Sequence, residues 1–503
     1  MTLTQAPPAA SASASTPAAT FPPGRLFIGG QWRDASDGGR MDVVAPATGR
    51  KLTEVAKATT ADVDAAVAAA RAAFDSGVWS GLSGRERARI LQRAYTLMRE
   101  RTEQLAHVES TNVGKPITFA RVVDVNNAAE LYEYYASLGH HLDGAVRETS
   151  GSTHVYVKKE PIGVVAAITP FNFPLILSST KIAPALIAGN TIVHKPASDT
   201  PLSALLMAEI LQEAGVPDGV FNVVTGSGAA IGDHLVAHPD VDKVAFTGST
   251  EIGAHAAQLA GRTLKPFTAE LGGNAANILF ADADLSTAMH TVVAAFVFNS
   301  GQFCMAGPRL LVERPIYDLV LGILADAVPN VPFGDITDPE TVIGPLASAT
   351  QLEKVAAIVD RAKAAGARVV TGGERADRDG FFYRPTVLAD LGSDAEAVSE
   401  EIFGPVLTVQ PFDTEEEAIQ LANSTRYGLA SGIQTSDLAK AHRVAARLEA
   451  GITWVNGWAL LDPAIPFGGV KASGWGREGG PEAMASYQRS HAMVFNLEQG
   501  TAQ

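Results

Sequence analysis

Apolar positions along the chain repeat at two different periods, and the change between them divides it. From Thr60 to Tyr135 they recur every three to four residues in Ala-rich segments such as ADVDAAVAAARAAF from Ala61 and RERARILQRAYTLMRERTEQLAHV from Arg85. That spacing predicts helices. From Gly163 to Phe280 short β-branched runs alternate with helical stretches: GVVAAIT, a helix over 175–188, NTIVHKP, LSALLMAEILQEAG, VFNVVTG, a short helix, KVAFTG, a helix over 249–259, and LKPFTAEL. Strands joined by single helices need right-handed crossovers, so this stretch predicts an open parallel α/β sheet with helices on both faces. Ligands of such sheets bind at the carboxyl ends of the strands. A second α/β series follows Asp284, with RLLVERPIYDLVLGILADAV, a helix over 351–365, ARVVTGG, VLTVQPF and ITWVNG, and it predicts a second domain. STHVYVKKEP, from Ser152 to Pro161, alternates like an exposed hairpin strand outside the winding, and SHAMVFNL, from Ser490 to Leu497, has the same character. Long edge strands are usually covered, so both are expected against a partner subunit. The alternative is that they are ordinary edge strands of one chain.

Composition narrows the class of partner. At 503 residues the chain exceeds what one core organises, and two or three domains are expected. With 46% hydrophobic and 18% charged residues it supports a large interior. A formal net charge of -15 repels phosphate backbones and anionic membranes, so neither nucleic acid nor a membrane surface is an expected partner. MTLTQAPPAASASASTPAAT has no basic or continuously apolar region of signal-peptide type, and residues 1–20 read as a disordered tail. No apolar run reaches the roughly 18 residues of a membrane span; Ile162 to Leu177 is broken by Thr169, Pro170, Asn172 and Pro174. The one cysteine, Cys304, excludes an intrachain disulfide and favours a reducing, cytoplasmic setting.

Cys304 lies in NSGQFCMAGPRLLV, flanked by Gly301 and Gly307. Glycines there give the backbone freedom to expose a thiol in a tight turn. A free cysteine is as often a small core hydrophobe, so nucleophile and core filler both stay open on these residues alone. A working thiol needs a base or a positive neighbour. Glu270, in TAELGGN, ends a predicted strand before Gly272 and Gly273, where a carboxylate can swing as a base for two successive steps. Taken alone it is more readily a solvated strand-end residue. Asn172, in ITPFNFPLIL, is either a satisfied structural amide or a donor aimed at a developing oxyanion. FTGSTEIG closes a strand and opens a helix where backbone N–H groups can meet a pyrophosphate, yet it lacks the G-x-G-x-x-G spacing, as does TGSGAAIG. Lys195 in HKPASDTP also ends a strand, where a lone lysine is more often a surface charge than a ligand.

Taken together, PFNFP, HKPASDTP, FTGSTEIG, ELGGN, SGQFCMAG, EEIFGPV and PFGGVKASGWGRE, in that order, resemble the NAD(P)-dependent aldehyde dehydrogenase superfamily from about Phe21 to the C-terminus. The resemblance implies a Rossmann-type cofactor domain over 21–141 and 161–271, and a catalytic α/β domain over 272–473. It also implies a small β extension, over 142–160 and 486–500, that builds a homodimer or homotetramer. It implies oxidation of an aldehyde to a carboxylic acid: Cys304 as nucleophile, Asn172 and the Cys304 N–H as oxyanion donors, Glu270 activating water, and Lys181 with Glu478 relaying protons. For NAD or NADP it implies Lys195 on the adenosine ribose, Gly248 and Ser249 at the pyrophosphate, Glu401 on the nicotinamide ribose and Phe403 packing nearby. Thr169, Pro170, Phe171, Phe246, Leu271 and Gly272 complete that site. NAD-preferring relatives often carry Glu three residues after the Lys; here Ser198 removes the repulsion toward a 2′-phosphate, so NADP acceptance is expected.

The positions expected to line the aldehyde funnel are Phe171, Leu177, Thr180, Phe303, Met305, Leu460, Leu461 and Phe467, nearly all apolar. An uncharged aromatic or medium-chain aliphatic aldehyde is the expected substrate, with Thr180 widening the pocket where relatives often carry a ring. Three rivals remain. Coenzyme A in place of water is opposed by Glu270. The others are a cofactor-free thiol esterase or acyltransferase and a non-catalytic binding protein on the same fold.

Overall fold

A computed structural model describes residues 21–497. The expected tail over 1–20 and the last three residues of the 486–500 segment lie outside them. The predicted helices form over Thr60–Asp75, Gly84–Glu100, Thr102–Val113 and Asn126–Leu138. The first two open on capping boxes, Thr59 with Asp62 and Ser83 with Glu86, which satisfy otherwise orphaned N–H groups.

The winding from Gly163 builds an eight-stranded sheet. Val164–Ile168, Thr191–Lys195, Phe221–Val223, Lys243–Thr247 and Phe267–Glu270 lie parallel in it. Successive residues serve opposite cores. Val164, Ala166 and Ile168 face one, with Val244 and Phe246. Val165 and Ala167 face the other, with Ala245 and the apolar side of Pro174–Ala188. Burial on both faces is why Val164–Ile168 reads as a continuous apolar run and the interiors of Thr191–Lys195 and Lys243–Thr247 stay apolar.

The second series forms a seven-stranded sheet in which Thr386–Ala389, Val406–Phe412, Arg309–Glu313, Ala276–Leu279, Ala430–Gln434 and Ile452–Val455 are parallel neighbours, with Arg368–Thr371 antiparallel at one edge. Three of its strands escape pattern reading. Ala276–Leu279 and Thr386–Ala389 are only four residues long, and Ala430–Gln434 contains Ser431 and Gly432. A Cβ on Gly432 would stand 2.3 Å from the Trp458 ring, so packing rather than strand propensity selects glycine there.

Three other features were not legible beforehand. The hairpin Leu26–Ile28 to Gln31–Arg33 turns on Gly29 and Gly30, both at positive φ, and adds two antiparallel strands to the edge of the first sheet. Gly474–Trp475 joins the other edge, antiparallel to Phe267–Glu270. Thr153–Pro161 pairs along its length with Gln488–Asn496 and with Ala145–Arg147. The two segments expected against a partner therefore cover each other within one chain, while Val146, Val494, Phe495 and Leu497 stay exposed.

Candidate active site

The two sheets meet end to end. From the first come the segments leaving its carboxyl ends: Thr169 to Asn172 after Ile168, Lys195 itself, Gly248 and Ser249 after Thr247, and Glu270 with Leu271. From the second come the segments entering its amino ends: Gly272 to Asn274 before Ala276, Cys304 before Arg309, and Glu401 to Phe403 before Val406. Pattern reading pointed to the first set of ends and said nothing of the second.

Cys304 follows three consecutive residues in the left-handed region: Asn299 (φ 49°), Ser300 (φ 55°) and Gly301 (φ 71°). Two of them carry side chains and so store strain, which the surroundings hold in place. Ser300 Oγ donates to Gly344 O at 2.8 Å. Asn299 Nδ2 donates to Asn172 O at 3.0 Å and Gln302 O at 3.1 Å, while Gln302 Oε1 accepts from the Ala347 N–H at 2.8 Å. Gly301 is forced by contact as well as by φ, since a Cβ there would sit 2.0 Å from Gly404 O. Gly307 differs from the expectation: it is absent from the positive-φ residues and instead lies against the Trp458 ring, 3.0 Å from a Cβ placed on it.

Cys304 is half-buried at the border of an apolar cluster that includes Phe173, Leu177, Phe298, Phe303, Met305, Trp454 and Trp458, with Leu460 and Phe467 packed on it. Burial pushes the thiol up, and the carboxyls of Glu401 and Glu270 push it further. The neighbours that reach it are thus acids and not the cation a thiolate would favour. Asn172 is buried; its Nδ2 donates to Gln302 O at 3.0 Å, while its Oδ1 has no partner. One of the two Nδ2 hydrogens remains to be used.

Glu270 is buried, and neither carboxylate oxygen has a well-formed hydrogen bond. Desolvation raises its carboxyl well above the usual range, and the charge of Glu478 raises it further. Gly468 makes room for it, because a Cβ there would lie 2.8 Å from Glu270 Oε1. On the same sheet face Lys181 Nζ donates to Thr247 Oγ1 at 2.5 Å and is ion-paired with Glu478 Oε1. Thr247 lies opposite Glu270 in the parallel register, which is why it faces Lys181; no spacing in the sequence reveals that.

Around the first sheet's ends, Ser249 caps the helix Thr250–Gly261, accepting from the Ile252 N–H at 3.4 Å. Gly248 passes close over the Phe246 ring, 2.7 Å from a Cβ placed there. Leu271 fills the space that Gly253 leaves. Lys195 is almost wholly buried, with Nζ donating to Pro196 O at 3.0 Å, and burial lowers it to about 8. Ser198 Oγ donates to Gly226 O at 2.9 Å. Glu401 Oε1 accepts from the Gly273 N–H at 2.9 Å, a side chain on Gly272 would collide with it, and burial raises its carboxyl to about 7. Phe403, at φ 59°, meets Phe171 edge to face at 5.8 Å. Thr169 Oγ1 bonds His194 Nε2 at 2.9 Å, and Pro170 follows it half-buried.

Of the expected funnel residues, Leu177, Phe303, Met305, Leu460 and Phe467 gather in the apolar cluster. Leu461 is 39% exposed, outside it. Thr180 turns instead to Glu478 Oε2, 2.7 Å from its hydroxyl.

With this geometry in place, a family model described as the aldehyde dehydrogenase family matches residues 32–493. The chain belongs to that family. Among solved structures it resembles an aldehyde dehydrogenase of Bacillus cereus in complex with NAD+, at 42% identity, TM-score 0.93, and 94% of this chain and 96% of that one covered. It equally resembles a point mutant of betaine aldehyde dehydrogenase from Staphylococcus aureus in complex with NAD+ and with a BME-modified cysteine. There the identity is 37%, the TM-score 0.93, and the coverage 95% of this chain and 97% of that one. The chain is accordingly an aldehyde dehydrogenase with the family's α/β fold, as the resemblance implied. Among the described residues no helix is long and apolar enough to cross a membrane.

Proposed function

We propose that the enzyme oxidises an uncharged aromatic or medium-chain aliphatic aldehyde to its acid through a thioester on Cys304, with NAD or NADP as acceptor. The observation that carries this reading is the Glu270 carboxyl, buried with neither oxygen in a well-formed hydrogen bond and within electrostatic reach of the Cys304 thiol. A base with no committed partner is free to serve two steps. In the first, Glu270 takes the thiol proton and Cys304 Sγ bonds to the aldehyde carbon. The oxyanion accepts from the spare Asn172 N–H and from the Cys304 backbone N–H, each donor of this kind being worth about 2.7 to 4 kcal/mol. The chemistry an oxidised nicotinamide supplies when bound is a two-electron acceptor for the hydride of that carbon. In the second step Glu270 takes a proton from water as its oxygen attacks the thioester; the acid leaves and the thiol is restored. Lys181 and Glu478 carry protons away from Glu270.

The donor set fits a dinucleotide. Lys195 has an ammonium bonded to a backbone carbonyl, and the capped helix start at Ser249 presents N–H groups. Glu401, its carboxyl raised to about 7 by burial, is assigned to a ribose hydroxyl. The NAD+ held by both similar structures supports NAD; Ser198, neutral and three residues after Lys195, supports NADP as well. We assign 21–141 and 161–271 to cofactor binding and 272–473 to catalysis, the paired strands near Thr153 and Gln488 to a homodimer or homotetramer, and the single cysteine to a cytoplasmic setting. Reduced nicotinamide followed over an aldehyde panel with both cofactors tests this. Cys304→Ala is expected to lose activity by roughly 10^4-fold or more. A preference for NAD above about a thousandfold would remove the role given to Ser198.

A further inference from the structure

Glu478 is held more firmly than a proton carrier needs to be. Its backbone is pinned by mutual bonds with Phe467, the Phe467 N–H to Glu478 O at 2.6 Å and the Glu478 N–H to Phe467 O at 2.7 Å. Its carboxylate spans two consecutive residues of the helix Pro174–Ala188: Lys181 pairs with Oε1, and Thr180 Oγ1 lies 2.7 Å from Oε2. Consecutive helical side chains diverge by about 100°, so one carboxylate bridging both has a single position. The Thr180 hydroxyl has one proton and a second acceptor, Leu177 O at 3.1 Å; the nearer, charged oxygen is the stronger partner. Leucine, valine or an aromatic ring at 180 would leave Oε2 without this donor.

We propose that Thr180 is a positioning residue of the deacylation step, clamping Glu478 beside Glu270, rather than a determinant of aldehyde size. This rests on the aldehyde oxidation reading above. The charge on Glu478 is one of the two causes that raise the Glu270 carboxyl, so the place where Glu478 is held sets how readily Glu270 ionises. Besides Glu478, Lys181 and Arg477 reach Glu270; the titratable groups facing Glu478 include Lys181 on the helix of Thr180, Lys243 on the strand Lys243–Thr247, Tyr135 on Asn126–Leu138, and Tyr487. Lys243 is buried, with Nζ 3.3 Å from Thr268 Oγ1 and 5.0 Å from the centre of the Tyr487 ring. A Glu478 released from Thr180 meets these groups in a different balance, which a pH profile reads.

The experiment compares wild type, Thr180→Val and Thr180→Ser, with Thr180→Ala as a second hydroxyl-free variant should the valine protein not fold. The readouts are kcat and KM with acetaldehyde, hexanal and benzaldehyde, and kcat against pH. For Thr180→Val or Thr180→Ala we expect kcat to fall about tenfold for all three aldehydes, KM to stay within about twofold, and the acid limb of kcat to move. Thr180→Ser should restore all three values. The inference is overturned by an unchanged kcat and pH limb, by changes in KM that follow aldehyde size, or by failure of serine to rescue. A wild type that reduces no nicotinamide with any aldehyde would instead defeat the oxidation reading itself.

Discussion

The two sides of the site are built on opposite principles. The thiol side is over-determined: three left-handed residues in succession lead to Cys304, and Asn299, Ser300 and Gln302 are each tied to backbone across the turn. The carboxylate side leaves Glu270 buried with two orphaned oxygens. A nucleophile that forms one bond at one angle gains from a fixed position, because misplacement of an ångström is costly. A base that serves first a thiol and then a water gains from having no partner to abandon. The strain of the first and the desolvation of the second are stability given up at the place where the chemistry occurs.

The contrast is tested most severely at Glu270. Glu270→Gln should lower kcat about 10^2- to 10^4-fold. In the wild type the base works only when ionised and its carboxyl is raised by burial, so kcat should rise with pH through a midpoint above 4.5. In the glutamine variant that limb should vanish, and a midpoint at or below 4.5 in the wild type would show that Glu270 is solvated in the working enzyme. At Gly301 the thiol side is probed: alanine there meets Gly404 O at 2.0 Å and a positive φ, so Gly301→Ala should destabilise by about 2 kcal/mol or more in urea unfolding. An alanine protein of wild-type stability would mean the turn is soft. The smallest effect is expected at Glu401. Its carboxyl sits at about 7 in the folded chain against 4.5 ordinarily, so the fold holds this proton more tightly than the unfolded chain does. Stability from this group is therefore lost as pH rises from 4.5 toward 7 and stays lost above. Glu401→Gln should raise Tm at pH 8 but not at pH 4, while raising KM for the cofactor.

Much of the fold was legible because its strands are buried on both faces. Val164–Ile168 is an unbroken apolar run, Thr191–Lys195 and Lys243–Thr247 hold apolar and β-branched residues broken only by His194, Lys195 and Lys243 at their ends, and the first helices carry their own caps. Ala430–Gln434 was not legible, since its composition answers to the Trp458 ring and not to strand propensity. At the site, the motif order pointed to Cys304, Glu270 and Asn172 as candidates; Asn172 is bonded to Gln302 in the turn before Cys304, and the charge of Glu270 reaches the Cys304 thiol. Thr180 shows the limit of that reading. Its small size suggested a wider pocket, whereas its hydroxyl is engaged by a carboxylate 298 positions away in sequence.

By itself, then, the chain's sequence determined the local elements, the two α/β windings, the lone thiol and the family, because periodicity, caps and motif residues are properties of neighbours along the chain. Only the tertiary structure decided that the carboxyl ends of one sheet face the amino ends of the other. It alone placed acids rather than a cation beside Cys304, left Glu270 buried without a well-formed hydrogen bond and gave Glu478 to Thr180. Burial and charge act through space over a few ångströms, between residues that no spacing in the sequence relates.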